Sequence, residues 1–177
     1  AQNTFPVVII RPGQIYGPCN MPMLILFRFV KKGFLPSLGR GDTMLPFCYV
    51  ENLIKGTLLS TDKAKAGEKY YIYDEHISLR QFARIIAEKL GIPLSNFYIP
   101  RNIAKAGIKC KELFENLFRL QICPFHMDIS SSTLKALEDD WTFKNDKSKS
   151  DLGFWPNIST TKGIEKTIRW YKDHGYL

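Results

Sequence analysis

The residues best able to do chemistry in this sequence are its three histidines, four cysteines and one run of carboxylates. A transition-metal site needs three or four nitrogen and sulfur ligands converging on one point, usually announced by close pairs along the chain. His76, His126 and His174 stand singly, and Cys19, Cys48, Cys110 and Cys123 contain no C-x-x-C pair, so neither a metal centre nor a redox dithiol is indicated. Acid and base carboxylates must approach one substrate atom from separate positions. Glu138, Asp139 and Asp140 are adjacent, so at least one points away from the others, and a solvated helix end accounts for them. G-x-S-x-G, P-loop, H-E-x-x-H and G-x-x-G-x-x-G patterns are all absent, and the lone G-x-G, Gly39-Arg40-Gly41, has no helix start behind it and reads as a turn.

What remains is a backbone feature. "VVIIRPGQIYGP", residues 7–18, runs four branched apolar residues into an arginine, a proline and a glycine. Pro12 has no N–H and fixes φ, while Gly13 lets a flat group come close to the main chain. The pattern by itself is that of a strand-end turn. Val7 to Ile10 is fully apolar, as in a parallel sheet covered on both faces. Arg11 at the end of such a strand needs a partner, because a desolvated guanidinium is costly alone, and backbone carbonyls or the Glu51 and Asn52 region are expected to supply it.

The surrounding elements alternate between strand and helix patterns, which marks an α/β protein. Residues 21–33 read as a helix with Pro22 in its first turn and Gly33 as its stop. Two short extended pieces flank residues 39–42, and a helix follows from about Glu51 with Leu53, Ile54, Thr57 and Leu58 on one face. "EKYYIYD" reads as a strand. The next helix has a Ser78 and Gln81 capping box, a stripe of Leu79, Phe82, Ala83, Ile86 and Leu90, and a Gly91 stop. A longer amphipathic helix is expected over 103–120, a short strand over 141–143, a short helix ending near Gly153, and a last helix carrying Ile164, Ile168 and Tyr171.

Composition bounds the partners. With 177 residues, 45% hydrophobic and 24% charged, the chain can bury a real core. Its 25 basic residues outnumber 17 acidic ones, for a net +8, but they are spread out, and no zinc-finger spacing or arginine-rich arm supports nucleic-acid binding. The apolar run 21–30 is interrupted by Arg28 and falls well short of the roughly 18 residues a span requires, so membrane association is disfavoured. Unpaired cysteines suit a reduced, cytoplasmic protein.

Four stretches together resemble one family. "VVIIRPGQIYGP", "LPFCYVENLIKGTLL", "GEKYYIYDEHISLRQFARIIAEKLG" and the ending "WTFKNDKSKSDLGFWPNISTTKGIEKTIRWYKDHGYL" are similar, in order and spacing, to the carboxy-terminal half of extended short-chain dehydrogenases/reductases, the NAD-dependent epimerase/dehydratase and 3β-hydroxysteroid dehydrogenase-like superfamily. The resemblance implies the last strands and helices of a Rossmann-type parallel sheet (residues 5–12 and 45–73) interleaved with a small, mostly helical substrate-binding subdomain (13–44 and 74–177). In that family a Gly-rich loop binds the dinucleotide and a Tyr-x-x-x-Lys pair moves the proton. No tyrosine here has lysine four places on, so no catalytic residue is expected in this chain, which is expected to lack the amino-terminal cofactor-binding half and to be inactive alone.

The same resemblance implies NAD or NADP as cofactor, with the backbone at Pro12, Gly13, Gln14 and Ile15 against the nicotinamide. Tyr16, Phe47 and Tyr49 are candidates to line the substrate cleft, with core packing as the competing role for the last two. Arg11 and Asn52 are expected to be structural, Asn52 standing where many members carry aspartate. The expected partners are a small-molecule substrate (sterol-like, flavonol-like or nucleotide sugar) and the upstream half of the same protein. A stand-alone binding or scaffolding module without catalysis is the alternative, and an apolar sheet edge left open in an isolated chain could be covered by a second copy in a homodimer.

Overall fold

The computed structural model describes residues 7–35, 37–38, 42–95, 98–99 and 143–177. The helix expected over 103–120, the carboxylates at 138–140, the turn at 39–41, Cys110, Cys123 and His126 lie outside the described residues, as does most of the strand expected over 141–143.

Strand β1 (Ile9–Pro12) pairs in parallel with β5 (Lys69–Ile72), with Ile9 opposite Lys69 and Pro12 opposite Ile72. At Gly13 the chain passes into a second sheet. There β2 (Gln14–Tyr16) runs parallel to β4 (Met44–Tyr49), and β4 is antiparallel to β6 (Glu75–Ser78). A short parallel pair joins β3 (Ser37–Leu38) to β7 (Tyr98–Ile99). Gly13 is therefore a transfer point between sheets where a strand-end turn was expected. Its N–H donates to the Ile72 carbonyl at 2.9 Å, and a Cβ on it would stand 2.0 Å from the Pro46 carbonyl oxygen, so glycine is required here for space. Among the described residues Met44–Tyr49 pairs with β2 and β6, and Lys69–Ile72 pairs with β1.

The helices start and stop on local signals. In α1 (Met21–Lys31) the Asn20 side chain accepts from the Met23 N–H and Pro22 sits in the first turn. In α3 (Leu79–Leu90) the Ser78 hydroxyl accepts from the Gln81 N–H, and Gly91 ends the helix at φ +69°. Helix α2 spans Val50–Lys63, α4 Asp146–Leu152, and α5 Thr160–Asp173 with Ser159 as its cap.

Helix α2 does not bury the face that its leucines and isoleucine mark out. Ile54 and Leu58 are 54% and 60% exposed, while Asn52, Gly56 and Ser60 are buried. Small residues win because the helix lies very close to β5: a Cβ on Gly56 would meet Ile72 Cγ2 at 2.8 Å, and the Ser60 hydroxyl returns its hydrogen bond to the Gly56 carbonyl.

Strand β1 is likewise less covered than its apolar run implies. Val8 and Ile10 pack against the core cluster of Tyr70, Ile72, Leu152 and Phe154, but Val7 and Ile9 on the other face are 48% and 40% exposed. Arg11 is exposed with them. Its Nη1 donates to the Tyr71 hydroxyl at 2.9 Å and its guanidinium lies over that ring, and among the described residues the expected contacts to backbone carbonyls or to Glu51 and Asn52 are not made. With no second strand beside β1 among the described residues the guanidinium stays hydrated, and the desolvation argument for a buried partner does not apply.

The larger core is aromatic. Phe47 stacks on Phe82 at 4.0 Å, Tyr16 meets Phe82 edge-on at 5.0 Å, and Phe27 meets Tyr171 at 5.3 Å. Ile164 and Ile168 of α5 close this cluster. Along the far side of β5 side chains satisfy the backbone: Ser148 donates to the Tyr71 carbonyl and Asn145 to that of Tyr73.

Candidate functional site

The strip from Pro12 to Tyr16 is positioned from three sides. Pro12 and Gln14 are exposed, Gly13 and Ile15 partly buried, and Tyr16 fully buried. The Asn20 side chain donates to the Ile15 carbonyl at 2.9 Å while capping α1, and the Tyr171 hydroxyl of α5 donates to the Asn20 carbonyl. One asparagine thus ties the strip to two helices. The Gln14 amide reaches α1 directly, with Nε2 3.7 Å from the Met23 sulfur.

Tyr16, Phe47 and Tyr49, expected to line a substrate cleft, are core residues with no exposed surface. The parallel β2–β4 pairing sets Tyr16 opposite Tyr49 and Gln14 opposite Phe47, and Phe82 of α3 lands on the aromatic group so formed. The Tyr16 hydroxyl donates to the Thr160 carbonyl at 3.3 Å, and burial, with the Asp74 charge adding to it, pushes its ionisation far above the usual phenol range. The hydroxyl therefore stays protonated at neutral pH.

Asn52 and Asp74 form a second junction behind the strip. Asn52 Oδ1 accepts from the Asn157 and Ile158 N–H groups at 3.0 and 3.2 Å, and its Nδ2 donates to the Ile158 carbonyl and to Asp74 Oδ1 at 2.8 and 2.9 Å. Asp74 Oδ2 accepts from the Tyr49 N–H at 2.7 Å. Burial pushes the Asp74 carboxyl up to about 6, with the hydrogen bonds from Tyr49 and Asn52 opposing and the Glu75 charge reinforcing the rise. No local signal in the sequence marks Asp74 out, because its partners lie 22 and 25 residues away. Glu51 is occupied elsewhere: it takes two hydrogen bonds from Lys166, which holds its carboxyl below the usual range, and one from the Tyr49 hydroxyl.

Among the described residues no group of histidine, cysteine and carboxylate side chains could hold a metal ion, and no helix is long and apolar enough to cross a membrane. Cys19 and Cys48 are free thiols, exposed and buried respectively.

A family model described as the 3-beta hydroxysteroid dehydrogenase/isomerase family matches residues 1–101. The chain belongs to that family. With it goes the extended short-chain dehydrogenase/reductase type of fold. A 3beta-hydroxysteroid-dehydrogenase/decarboxylase of Arabidopsis thaliana is 28% identical over 176 residues, which cover 90% of this chain and 39% of the relative. Among solved structures, a nucleoside-diphosphate-sugar epimerase from Pseudomonas aeruginosa superposes with a TM-score of 0.72 at 19% identity, covering 99% of this chain and 51% of that one. UDP-glucuronic acid 4-epimerase from Bacillus cereus, solved in complex with NAD, superposes at 0.66 and 19%, covering 97% and 46%. These likenesses show a shared α/β fold of Rossmann type. The chain spans about half the length of the curated relatives it matches.

Proposed function

We propose that this chain is the substrate-binding half of a cytoplasmic NAD(P)-dependent oxidoreductase or epimerase, acting on a sterol-like, flavonol-like or nucleotide-sugar molecule and inactive by itself. The observation that carries this reading is the open side of β1. Val7 and Ile9 are exposed on a strand whose one neighbour among the described residues is β5, directly before the exposed strip at Pro12 and Gln14. An apolar parallel strand is stable in a sheet only when its faces are covered, which an upstream half would do.

The residues present fit a nicotinamide ring against the strip. Pro12, the last residue of β1, offers no N–H and is exposed, and Gly13 and Gln14 continue the backbone beyond the strand end that would meet the ring. Such a cofactor supplies hydride transfer when bound. Within this chain, Pro12 to Ile15 present the backbone wall, Asn20 fixes that wall to α1, and the Asn52–Asp74 junction fixes the segment 157–158 that leads into α5. The free Cys19 thiol suits a reducing compartment.

The test is the intact mass of the protein as its own cell makes it, together with NADH binding read by nicotinamide fluorescence. A polypeptide much longer than 177 residues that binds NADH is the expected result. A native protein of this length that binds no NADH overturns the reading and favours a stand-alone binding module.

A further inference from the structure

Resting on the reading that the strip meets a nicotinamide, we propose that Tyr171 and Asn20 are positioning residues that set the nicotinamide affinity of the site from outside it, Tyr171 acting through Asn20. Tyr171 lies in the last turn of α5, 151 residues along the chain from Asn20. Its hydroxyl donates to the Asn20 carbonyl, which also accepts from the Leu24 N–H at 3.2 Å. The Asn20 side chain is engaged at both atoms. Its Oδ1 accepts from the Met23 N–H at 3.1 Å, and its Nδ2 donates to the Ile15 carbonyl at 2.9 Å. The second of these bonds fixes the peptide plane between Ile15 and Tyr16, at the carboxyl end of the strip. Among the described residues β2 has one strand neighbour, β4, and the Asn20 side chain adds a further support at Ile15.

The backbone is bent to make this contact. For the amide to reach back to Ile15 the chain must reverse between Tyr16 and Asn20, and it does so with Gly17 at φ +147° and Cys19 at φ +65°. A residue with a side chain stays in the left-handed region only where its surroundings over-determine it. Tyr171 supplies part of that constraint. Its ring is fully buried and meets Phe27 of α1 edge-on at 5.3 Å, which locks α5 to α1. Burial, with the Cys19 thiol adding to it, pushes its hydroxyl up to about 12, so it remains a donor through the neutral range. With no exposed surface, Tyr171 acts on the strip without touching the cofactor.

The experiment uses the full-length protein and two probes, NADH and ADP-ribose, the second of which lacks the nicotinamide. Calorimetric titration gives both dissociation constants. Tyr171→Phe keeps the buried ring and removes the hydroxyl, while the Asn20 carbonyl keeps its Leu24 partner. NADH binding should weaken about threefold to tenfold, the scale of one lost hydrogen bond, with ADP-ribose binding unchanged. Asn20→Asp still caps α1 but has no N–H for the Ile15 carbonyl and sets oxygen against oxygen there. It should weaken NADH about tenfold or more, again sparing ADP-ribose. Equal weakening of both probes marks a merely structural role and overturns the inference, as does NADH binding by both variants at the wild-type affinity; either result leaves the cofactor reading intact. A wild-type protein that fails to bind NADH overturns the cofactor reading itself, and the inference with it.

Discussion

Replacing Asp74 by asparagine tests whether a buried carboxylate at this junction costs the fold stability at neutral pH. The Asp74 carboxyl titrates at about 6 in the folded protein against an ordinary 3.8, chiefly through burial. The folded state therefore holds the proton more tightly than the unfolded one. Stability from this group is fully present below the unfolded value and is lost as pH rises through about 6. At about 1.4 kcal/mol per tenfold change, the full difference is close to 3 kcal/mol, of which about 2 kcal/mol falls between pH 7.5 and pH 4.5. Asparagine removes the titration but brings a new conflict. Both carboxylate oxygens accept from N–H donors, Tyr49 and Asn52, so one arm of the new amide sets N–H against N–H at a cost of about 1–3 kcal/mol. At pH 7.5 this cost is offset by the lost buried charge, and the two proteins should unfold at similar urea concentrations. At pH 4.5 the wild type should be ahead by about 2 kcal/mol more than at pH 7.5. Urea unfolding followed by the fluorescence of Trp155 and Trp170 reads the difference. Parallel stability curves across that range would refute the reasoning, since a solvated Asp74 would give no such divergence.

Three packing predictions follow from close approaches. Gly13→Ala sets a methyl 2.0 Å from the Pro46 carbonyl oxygen, where backbone on both sides cannot yield, and should lose at least about 2 kcal/mol by calorimetry; an unchanged melting temperature contradicts the sheet crossover as described. Gly163→Ala gains up to about 1 kcal/mol of helix propensity. Its new methyl would nonetheless stand 2.6 Å from the Tyr16 hydroxyl and 2.9 Å from Tyr49 Cδ2, so denaturant titration should show a net loss of about 1–2 kcal/mol. Phe82→Ala removes the ring stacked on Phe47 and met edge-on by Tyr16 and should cost about 3–5 kcal/mol, with loss of the near-ultraviolet circular dichroism of the aromatic core.

The elements were legible wherever the determinants are close in sequence. Helix α3 shows its cap, its stripe and its left-handed glycine within 14 residues, Ser78 to Gly91, and folds as those signals say. Burial was legible only where a whole amphipathic face announced it. Helix α2 shows why: hydrophobicity pointed to Ile54 and Leu58, but the inward face was decided by how near the helix can come to Ile72, which favours Gly56 and Ser60 and depends on a strand a dozen or more residues away. The same limit governs the site. Proline and glycine mark a break in the backbone at Pro12 and Gly13 directly, whereas Tyr16, Phe47 and Tyr49 carry no sign of whether their rings face a cleft or a core until β2 and β4 are paired and α3 is laid over them. Asp74 is the extreme case, an acid whose every partner is supplied by tertiary structure and whose raised titration would have no cause in an isolated strand. Breaks in the backbone are therefore read from sequence, and burial is not, because desolvation is a property of the neighbours that folding brings.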